Sequence, residues 1–324
     1  MLIDLHSLPK VRDSVSSLYV EHVRVDRHDK SIAVHDVGGM TPVPAAALCV
    51  LMLGPGTSVT QAAMMTLAEN NCLVIWCGEE NVRFYAYGTG GTRSGAPMLH
   101  QARLVSDERL RLEVVMRMYR MRFPEPVDDG LTVEQLRGME GSRVRRAYAQ
   151  ASAKSGVPWT GRNYDRGDWY SADPANRALS AANACLYGIC QAAILSCGYS
   201  PTLGFIHTGK HLSFVYDIAD LYKVEMTVPV AFEMSKGDPK DLERRVRHRM
   251  RDTVREQRLL QRIVPDIQAA LGRNVESEGP FAADDDPARP TSLWTPESQR
   301  SEEDDGAADE MNRAQDREED EWSS

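Results

Sequence analysis

The hydrophobic pattern of this chain changes once, at the glycine-rich stretch 88–97 (GTGGTRSGAP). Before it, segments such as LYVEHVRV and SIAVHDV are rich in β-branched residues on either side of a polar turn, which is typical of strands. Beyond it, apolar residues recur with the period of a helix. The sequence therefore predicts an α+β fold: a β-rich, sandwich-like domain with one helix over 1–88, a flexible linker over 89–97 and an all-α domain over 98–275.

Helix signals can be placed within this frame. The segment TSVTQAAMMTLAENN offers Thr and Ser caps at its start and an Asn-Asn stop at its end. One long amphipathic helix is predicted over 98–122, with six arginines along it: Arg103, Arg109, Arg111, Arg117, Arg120 and Arg122. Further helices are predicted over 132–154 with Thr132 as its cap, over 175–197 as a buried helix, over 211–224, and over 239–272 as one or two helices around Pro265.

The net charge of −9 is unevenly distributed. Residues 276–324 hold 17 Asp or Glu against 4 Arg, a net charge of −13, so residues 1–275 carry a net charge of +4. The last segment is also poor in apolar residues, and such a composition cannot offset chain entropy by burial. A disordered acidic tail is predicted over 276–324.

Cysteine usage points to a reducing compartment. The six cysteines include no CxxC pair and all lie in apolar surroundings, which predicts buried free thiols and a cytoplasmic protein. The first 13 residues lack the basic and apolar regions of a signal peptide. The longest apolar run, over 43–53, is interrupted by Pro44 and is too short to span a bilayer, so no membrane is expected as a partner.

Several side chains that could bind a metal or take part in catalysis lie close together in the stretch 204–223 (GFIHTGKHLSFVYDIADLYK). A glycine-punctuated loop presents His207 and Lys210, and an apolar segment follows with Asp217 and Asp220. Three residues apart on a helix, those two carboxylates share one face. An imidazole and two carboxylates can converge on one point, but a closed metal site needs a further ligand.

Glu140 is the candidate for that further ligand. Gly138 and Gly141 flank it within a helical stretch, and each costs up to about 1 kcal/mol in a helix interior, which suggests that something approaches the helix closely there. Spacing alone favours an ordinary solvated glutamate on a basic helix. If Glu140 does join the set, its hard, oxygen-rich donors suit Mg²⁺ or Mn²⁺ better than zinc.

Four motifs, in this order, carry a resemblance to a known family: EQLRGMEGSRVR, GRNYDRGDW, ANACLYGICQAAILSCGYSP and GFIHTGKHLSFVYDIADLYK. The chain resembles the CRISPR adaptation integrase, the metal-dependent nuclease–integrase that inserts spacers into CRISPR arrays, most closely in its type I-E form. The resemblance runs from the first strand to about residue 270 and is densest over 134–224. It implies that the helical domain is the catalytic one and that the β-rich domain mediates dimerisation.

The resemblance assigns roles to individual residues. It implies that Glu140, His207 and Asp220 bind Mg²⁺ or Mn²⁺, with Asp217 as an acidic support or alternate ligand and Lys210 near the reacting phosphate. It also implies a set of residues that contact DNA or line the active site: Arg83, Arg137, Arg162, Tyr164, Trp169, Tyr187, Lys210, Lys223, Arg244 and Arg247. Ser58 stands where a relative has an arginine, which puts one backbone contact in doubt.

Purely structural roles remain open for several of these residues. Tyr187 lies in an apolar helix and can simply pack there, while Tyr164 and Trp169 can anchor a loop instead of stacking on bases. Residues 236–262 hold ten Lys or Arg against five Asp or Glu, which favours a phosphate-contacting surface over a solvated helix face.

The implied activity is insertion of prespacer DNA into a CRISPR array for antiviral defence, by attack of a 3′-hydroxyl on a repeat phosphodiester. The implied partners are double-stranded DNA with 3′ overhangs, CRISPR repeat DNA, a second copy of the chain and a small ferredoxin-like adaptation protein. Two other functions stay open: a structure-selective nuclease acting on branched DNA, and a DNA-binding scaffold that does not use its catalytic set.

Overall fold

Strands occupy the first part of the chain and helices most of the rest. The computed structural model describes residues 17–79, 84–88, 95–162, 173–236 and 240–272, all in one compact unit. The first part contains β1 (Ser17–Val20), β2 (Arg24–His28), β3 (Ser31–Asp36), β4 (Gly39–Val43), β5 (Val50–Leu53), β6 (Ser58–Val59), α1 (Gln61–Glu69), β7 (Leu73–Cys77) and β8 (Phe84–Gly88). The second contains α2 (Ala96–Ser106), α3 (Glu108–Arg120), α4 (Val133–Ser155), α5 (Pro174–Ser196), α6 (Ser213–Ala219), α7 (Thr227–Met234), α8 (Leu242–Glu256) and α9 (Leu259–Ala270). The predicted order, a strand-rich part followed by a helical part, is confirmed.

The strands form two four-stranded sheets. One has the order β1-β5-β7-β8, in which β5 pairs in parallel with β1 and β7, and β8 runs antiparallel to β7. The other has the order β4-β3-β2-β6. Side chains from both sheets and from α1 form a shared core, which fits the predicted β-rich part with its single helix.

The strand β5 joins the two parts of the protein. Its sequence, VLML, is buried on both faces. Because side chains alternate along a strand, Leu51 and Leu53 enter the core shared by the two sheets, whereas Val50 and Met52 enter the core built mainly by the helices. The strand-rich and helical parts therefore share a packed boundary, and the domain boundaries at 88 and 98 stay a prediction.

The prediction of one helix over 98–122 is wrong. Asp107 interrupts it with an extended backbone (φ −91°, ψ 119°), and its side chain accepts a 2.9 Å hydrogen bond from the backbone N–H of Leu110. An aspartate that caps a new helix competes with helix continuation, which explains the break between α2 and α3. Two arginines of α3 are bound within the protein, since Arg111 and Arg117 donate to the backbone carbonyls of Phe205 and Ala270.

Other helix predictions are confirmed. Thr60 caps α1, and Asn71 ends it in the left-handed region (φ 52°). Thr132 and Gln135 form a capping box at the start of α4, so this long helix begins at the predicted position. The prediction of one or two helices over 239–272 is confirmed as two, α8 and α9, but they separate at 257–258 and Pro265 lies inside α9.

The helix α5 forms the centre of the helical part. By length and composition it could cross a membrane, and no other helix among the described residues could. The apolar window that meets this criterion is 72% buried by the rest of the protein, as in a core helix, so it is weak evidence for a membrane span. The cysteines are free thiols, as predicted, and only Cys197 is more than marginally exposed. The predicted disordered tail, 276–324, and most of the predicted linker lie outside the described residues, although α2 already begins at Ala96.

Candidate active site

The loop that carries His207 begins at Gly204, where any side chain would force the surrounding backbone to shift. A Cβ on Gly204 would lie 2.3 Å from the carbonyl oxygen of His207 and 2.7 Å from the Cβ of Ser213. The loop is therefore folded tightly back on its own first residue. Gly209, farther along, has a φ of +78°, a conformation that L-residues with side chains rarely adopt.

Asp217 anchors this loop from the first turns of α6. It is completely buried, and its carboxylate accepts hydrogen bonds from the backbone N–H groups of Phe205 (2.6 Å), Ile206 (3.1 Å) and His207 (2.9 Å). It also lies 2.7 Å from Nδ1 of the His207 ring. With a carboxylate on Nδ1, that nitrogen carries a proton, and Nε2 is the ring nitrogen that faces away from Asp217.

His207 and Asp220 face each other across a short gap. Nε2 of His207 lies 4.0 Å from Oδ2 of Asp220, the residue that ends α6. The other oxygen of Asp220, Oδ1, accepts a 2.6 Å hydrogen bond from the ammonium of Lys223. The described residues donate no hydrogen bond to Oδ2, so this oxygen and Nε2 are the two atoms available to a shared ligand.

Lys223 joins the carboxylate to an aromatic group. Its ammonium lies 4.9 Å from the ring centroid of Tyr187, and Tyr187 packs edge-on against Tyr216 at 5.0 Å. Burial is the largest influence on Lys223 and lowers its pKa, but the charge of Asp220 and the nearby Tyr187 outweigh it, so the pKa of Lys223 lies above its usual value. The lysine is a firmly charged group at the edge of the site.

Glu140 projects from α4 and is only 9% exposed. Arg143, one turn later, donates to both of its oxygens, with Nε at 2.8 Å and Nη2 at 3.1 Å. The sequence-based expectation of a solvated glutamate is therefore wrong, because the side chain points inward. A Cβ on Gly138 would meet nothing within 4 Å, and a Cβ on Gly141 would meet Nη1 of Arg145 at 3.4 Å, an ordinary contact. Among the described residues, the predicted close approach to this part of α4 is therefore not seen.

Arg122 lies between the two carboxylates and was not singled out by the sequence. Its Nη1 is 3.8 Å from Oε1 of Glu140, and its Nη2 is 3.5 Å from Oδ2 of Asp220. The side chain is 5% exposed, and its guanidinium lies 4.9 Å from the ring centroid of Tyr119. Nothing in the sequence separates this arginine from the others near it, because its burial follows from the packing of α3 against α4.

The predicted metal ligands are brought together, but not at coordinating distances. Among the described residues, no group of three or more His, Cys, Asp or Glu is placed to hold a metal ion. Glu140 and Asp220 stand on either side of Arg122, and of these two carboxylates it is Asp220 that lies near His207. The donor types fit Mg²⁺ or Mn²⁺, and the carboxylate on Nδ1 of His207 is the usual second partner of a ligating histidine. The metal triad remains a prediction.

Two predicted DNA contacts are bound to their own chain. Arg162 donates to the backbone carbonyl of Asn176 (3.0 Å) and to Oγ of Ser180 (2.9 Å) at the start of α5. Arg247 lies 3.6 Å from the carboxylate of Glu79, and its side chain is 16% exposed. Both side chains would have to leave these partners to contact a phosphate.

Other predicted DNA contacts are open to solvent. Lys210 and Arg244 are exposed, and Arg137 is exposed while its Nε donates to the hydroxyl of Tyr119 at 3.2 Å. Ser58, where a relative has an arginine, lies exposed in β6. Three more predicted contacts lie outside the described residues: Arg83, Tyr164 and Trp169.

A cleft of about 740 Å³ lies beside the site, between β8 and α5. Its walls include Tyr85 and Tyr87, which are 65% and 44% exposed, together with Tyr187, Gln191 and His211. Tyr187 thus faces a cleft and does not merely pack within the core. Exposed aromatic rings of this kind can stack on nucleic-acid bases.

The comparisons with known proteins agree on one family. A family model described as "CRISPR associated protein Cas1" matches residues 121–257. A curated relative from Thermus thermophilus, named CRISPR-associated endonuclease Cas1 2, is 55% identical over 294 residues, which is 90% of each chain. The chain belongs to the CRISPR-associated Cas1 family. The resemblance found in the sequence is thereby confirmed.

Two further members of the Cas1 family extend the comparison. The Escherichia coli K12 relative, named CRISPR-associated endonuclease Cas1, is 42% identical over 297 residues, covering 91% of this chain and 96% of its own. A solved structure described as a TtCas1–DNA complex aligns with a TM-score of 0.74 at 56% identity, covering 82% of this chain and 99% of that one. The segment matched by the Cas1 model includes Glu140, His207 and Asp220.

Proposed function

We propose that this protein is a metal-dependent DNA endonuclease and integrase that inserts prespacer DNA into a CRISPR array. The reaction is a transesterification in which the 3′-hydroxyl of a prespacer strand attacks a phosphodiester at the repeat boundary. One observation carries the proposal: Asp217 fixes His207 so that its Nε2 faces Oδ2 of Asp220 at 4.0 Å. The names of the relatives, which are endonucleases, and the DNA complex of one family member support it.

Glu140, His207 and Asp220 would hold Mg²⁺ or Mn²⁺. When bound, the ion would polarise the phosphate and stabilise the charge that develops on the attacking and leaving oxygens. The side chains of Glu140 and Asp220, which would bind the ion, are largely buried. Carboxylate oxygens are donors that Mg²⁺ and Mn²⁺ prefer.

The chain's own cations would hold the DNA phosphate. Arg143 and Lys223 are 24% and 26% exposed, so each can turn from its carboxylate toward a phosphate without opening the core. Lys210, exposed on the His207 loop, adds a third positive charge. Asp217 keeps the His207 ring in one tautomer and orientation throughout, since its oxygens are fixed by backbone N–H groups.

We also propose the partners that the family resemblance implies. These are double-stranded DNA with 3′ overhangs, CRISPR repeat DNA, a second copy of this chain and a small ferredoxin-like adaptation protein. We propose that the protein binds these partners in the cytoplasm. The exposed aromatic residues of the β8–α5 cleft and the exposed Arg137 and Arg244 are surfaces suited to single-stranded and duplex DNA respectively.

Strand transfer into supercoiled repeat DNA tests the proposal. Glu140→Ala, His207→Ala and Asp220→Ala are each expected to abolish the Mg²⁺- or Mn²⁺-dependent product while leaving DNA binding largely intact. Glu113→Ala, on the exposed face of α3, is the matched control and is expected to behave as wild type. Wild-type strand transfer by any of the three variants would overturn the assignment.

The same assay separates the alternatives. Metal-dependent cleavage of branched DNA without strand-transfer product would favour a structure-selective nuclease. DNA binding that is insensitive to metal, with neither product, would favour a scaffold.

A further inference from the structure

Arg122 is a buried cation with incomplete hydrogen bonding. It is 7% exposed overall, and its Nε and Nη2 have no hydrogen-bond partner among the described residues. Charge-assisted hydrogen bonds between a guanidinium and a carboxylate usually measure about 2.7–2.9 Å. The distances from Arg122 to Glu140 and Asp220, 3.8 and 3.5 Å, are those of ion pairs without such bonds.

Cations outnumber their paired carboxylates around this arginine. Glu140 and Asp220 form ion pairs with three cations, which are Arg122, Arg143 and Lys223. Asp217 lies against the ring of His207 and pairs with none of these three. A divalent cation would add two positive charges to a group that is already rich in positive charge. The site can accept that charge only if cations withdraw from the carboxylates or anionic phosphate enters with the ion.

The three cations differ in their freedom to withdraw. Arg143 and Lys223 have about a quarter of their side chains exposed, whereas the side chain of Arg122 is 5% exposed and packs on Tyr119. Arg122 is therefore the least able of the three to move into solvent, and we expect it to stay beside Oε1 of Glu140 and Oδ2 of Asp220 when a ligand binds.

We infer that Arg122 is a fixed counter-cation that positions Glu140 and Asp220 and limits the affinity of the site for divalent metal. This inference rests on the proposed metal site. Without metal, Arg122 prevents two inward-facing carboxylates from repelling each other. With metal, it competes by like-charge repulsion for the same oxygens, so tight metal binding also requires a DNA phosphate.

Arg122→Met tests the inference, because methionine keeps an unbranched side chain and removes the charge. Without metal, we expect the Tm to fall by roughly 5–10 °C, since Glu140 and Asp220 lose the cation that they share. We expect the Mn²⁺ dissociation constant, measured by calorimetry without DNA, to fall about tenfold or more, because a like charge is gone. Saturating Mn²⁺ should then recover most of the lost Tm.

Two controls separate charge from packing. Arg122→Lys keeps the charge and is expected to bind Mn²⁺ within about threefold of wild type, a difference of less than 1 kcal/mol. Arg117→Met removes a half-buried arginine of α3, the helix that ends just before Arg122, and this arginine donates to the carbonyl of Ala270. Its Tm loss is expected to be equal with and without Mn²⁺. An unchanged or weaker Mn²⁺ affinity in Arg122→Met, or a Tm deficit that Mn²⁺ does not reduce, would overturn the inference.

A double variant covers the case in which Arg122→Met does not fold. Arg122→Met combined with Glu140→Gln removes both members of the pair, so we expect it to be more stable and more soluble without metal than Arg122→Met alone. The inference would be overturned if the stability losses of the two substitutions simply added, or if the double variant were no more stable than Arg122→Met.

These outcomes are distinct from a failure of the proposed function. The readouts are metal affinity and stability, and neither requires strand transfer. A protein that shows them but forms no strand-transfer product would refute the integrase proposal and keep the role of Arg122.

Discussion

The phenol of Tyr222 donates a 2.6 Å hydrogen bond to Oδ2 of Asp266. Tyr222 is 1% exposed and lies two residues after Asp220, whereas Asp266 belongs to α9. The guanidinium of Arg262 lies 5.6 Å from the Tyr222 ring centroid and pairs with Glu225 at 3.0 Å. The last described helix is thus tied to the turn that carries a predicted metal ligand.

Loss of this hydrogen bond should destabilise the protein. Tyr222→Phe leaves a carboxylate without its donor, and we expect the free energy of unfolding to fall by about 1–3 kcal/mol. Urea unfolding followed by circular dichroism measures the change. Asp266→Asn keeps an acceptor for the phenol and should cost less. Equal midpoints for Tyr222→Phe and wild type would show that the bond does not contribute.

The same pair predicts how stability depends on pH. Burial, and then the charge of Asp266, raise the pKa of Tyr222 well above its usual value of 10.0. Above about pH 10 the unfolded chain releases this proton while the folded protein keeps it, so stability falls as the pH rises. Tyr222→Phe should show a shallower fall between pH 9 and 11 in urea titrations. The fall should not vanish, because burial also raises the pKa of Tyr148. Parallel curves for the two proteins would contradict this assignment.

Asp217→Asn should strongly destabilise the folded protein. The family resemblance implied an acidic support or alternate ligand at this position. The fully buried carboxylate also accepts hydrogen bonds from three backbone N–H groups and faces Nδ1 of His207. An amide supplies one acceptor oxygen and turns an NH₂ group toward those donors. We expect a loss of about 2–4 kcal/mol in urea unfolding. His207→Ala, whose side chain is 42% exposed, is the control and should cost far less; similar losses for both would argue against the anchor.

Gly138→Ala should raise stability, because a Cβ at this position of α4 would meet nothing within 4 Å. Replacing an exposed helical glycine by alanine gains about 0.5–1 kcal/mol. We also expect weaker DNA binding, since the proposed function places DNA against this helix beside Glu140. Gly204→Ala is the opposite case and should destabilise strongly, because its Cβ would collide with the carbonyl of His207. A less stable Gly138→Ala protein would mean that part of the chain packs there after all.

Arg244 and Arg247 should contribute differently to DNA binding. Arg244 is exposed on α8, whereas Arg247 is largely buried and pairs with Glu79. Arg244→Gln should lower the slope of log Kd against log salt by about 1, because one phosphate contact is lost. Arg247→Gln should leave the slope unchanged and lower stability instead. Binding isotherms over a series of KCl concentrations measure both slopes, and equal changes would place both arginines on phosphates.

Much of the architecture could be predicted because the signals are local. Segments rich in β-branched residues on either side of a polar turn predicted strands, and caps such as Thr60 and Thr132 predicted where α1 and α4 begin. The break at Asp107 shows the limit, since its side chain caps α3 in the middle of a continuous helical pattern. An aspartate is compatible with both outcomes, and only the packing of the two helices selects one of them.

The sequence by itself determined the family, the types of the candidate site residues and the order of strands and helices, because those properties reside in motifs and in short-range periodicity. Only the tertiary structure showed that Glu140 points inward, that Asp217 is an anchor, and that Arg122 stands between two carboxylates. These relationships join residues that are distant along the chain. Arg122 follows α3, Glu140 lies in α4 and Asp217 lies in α6. Their charges act through space, so burial and distance decide their roles, and neither can be read from the order of residues.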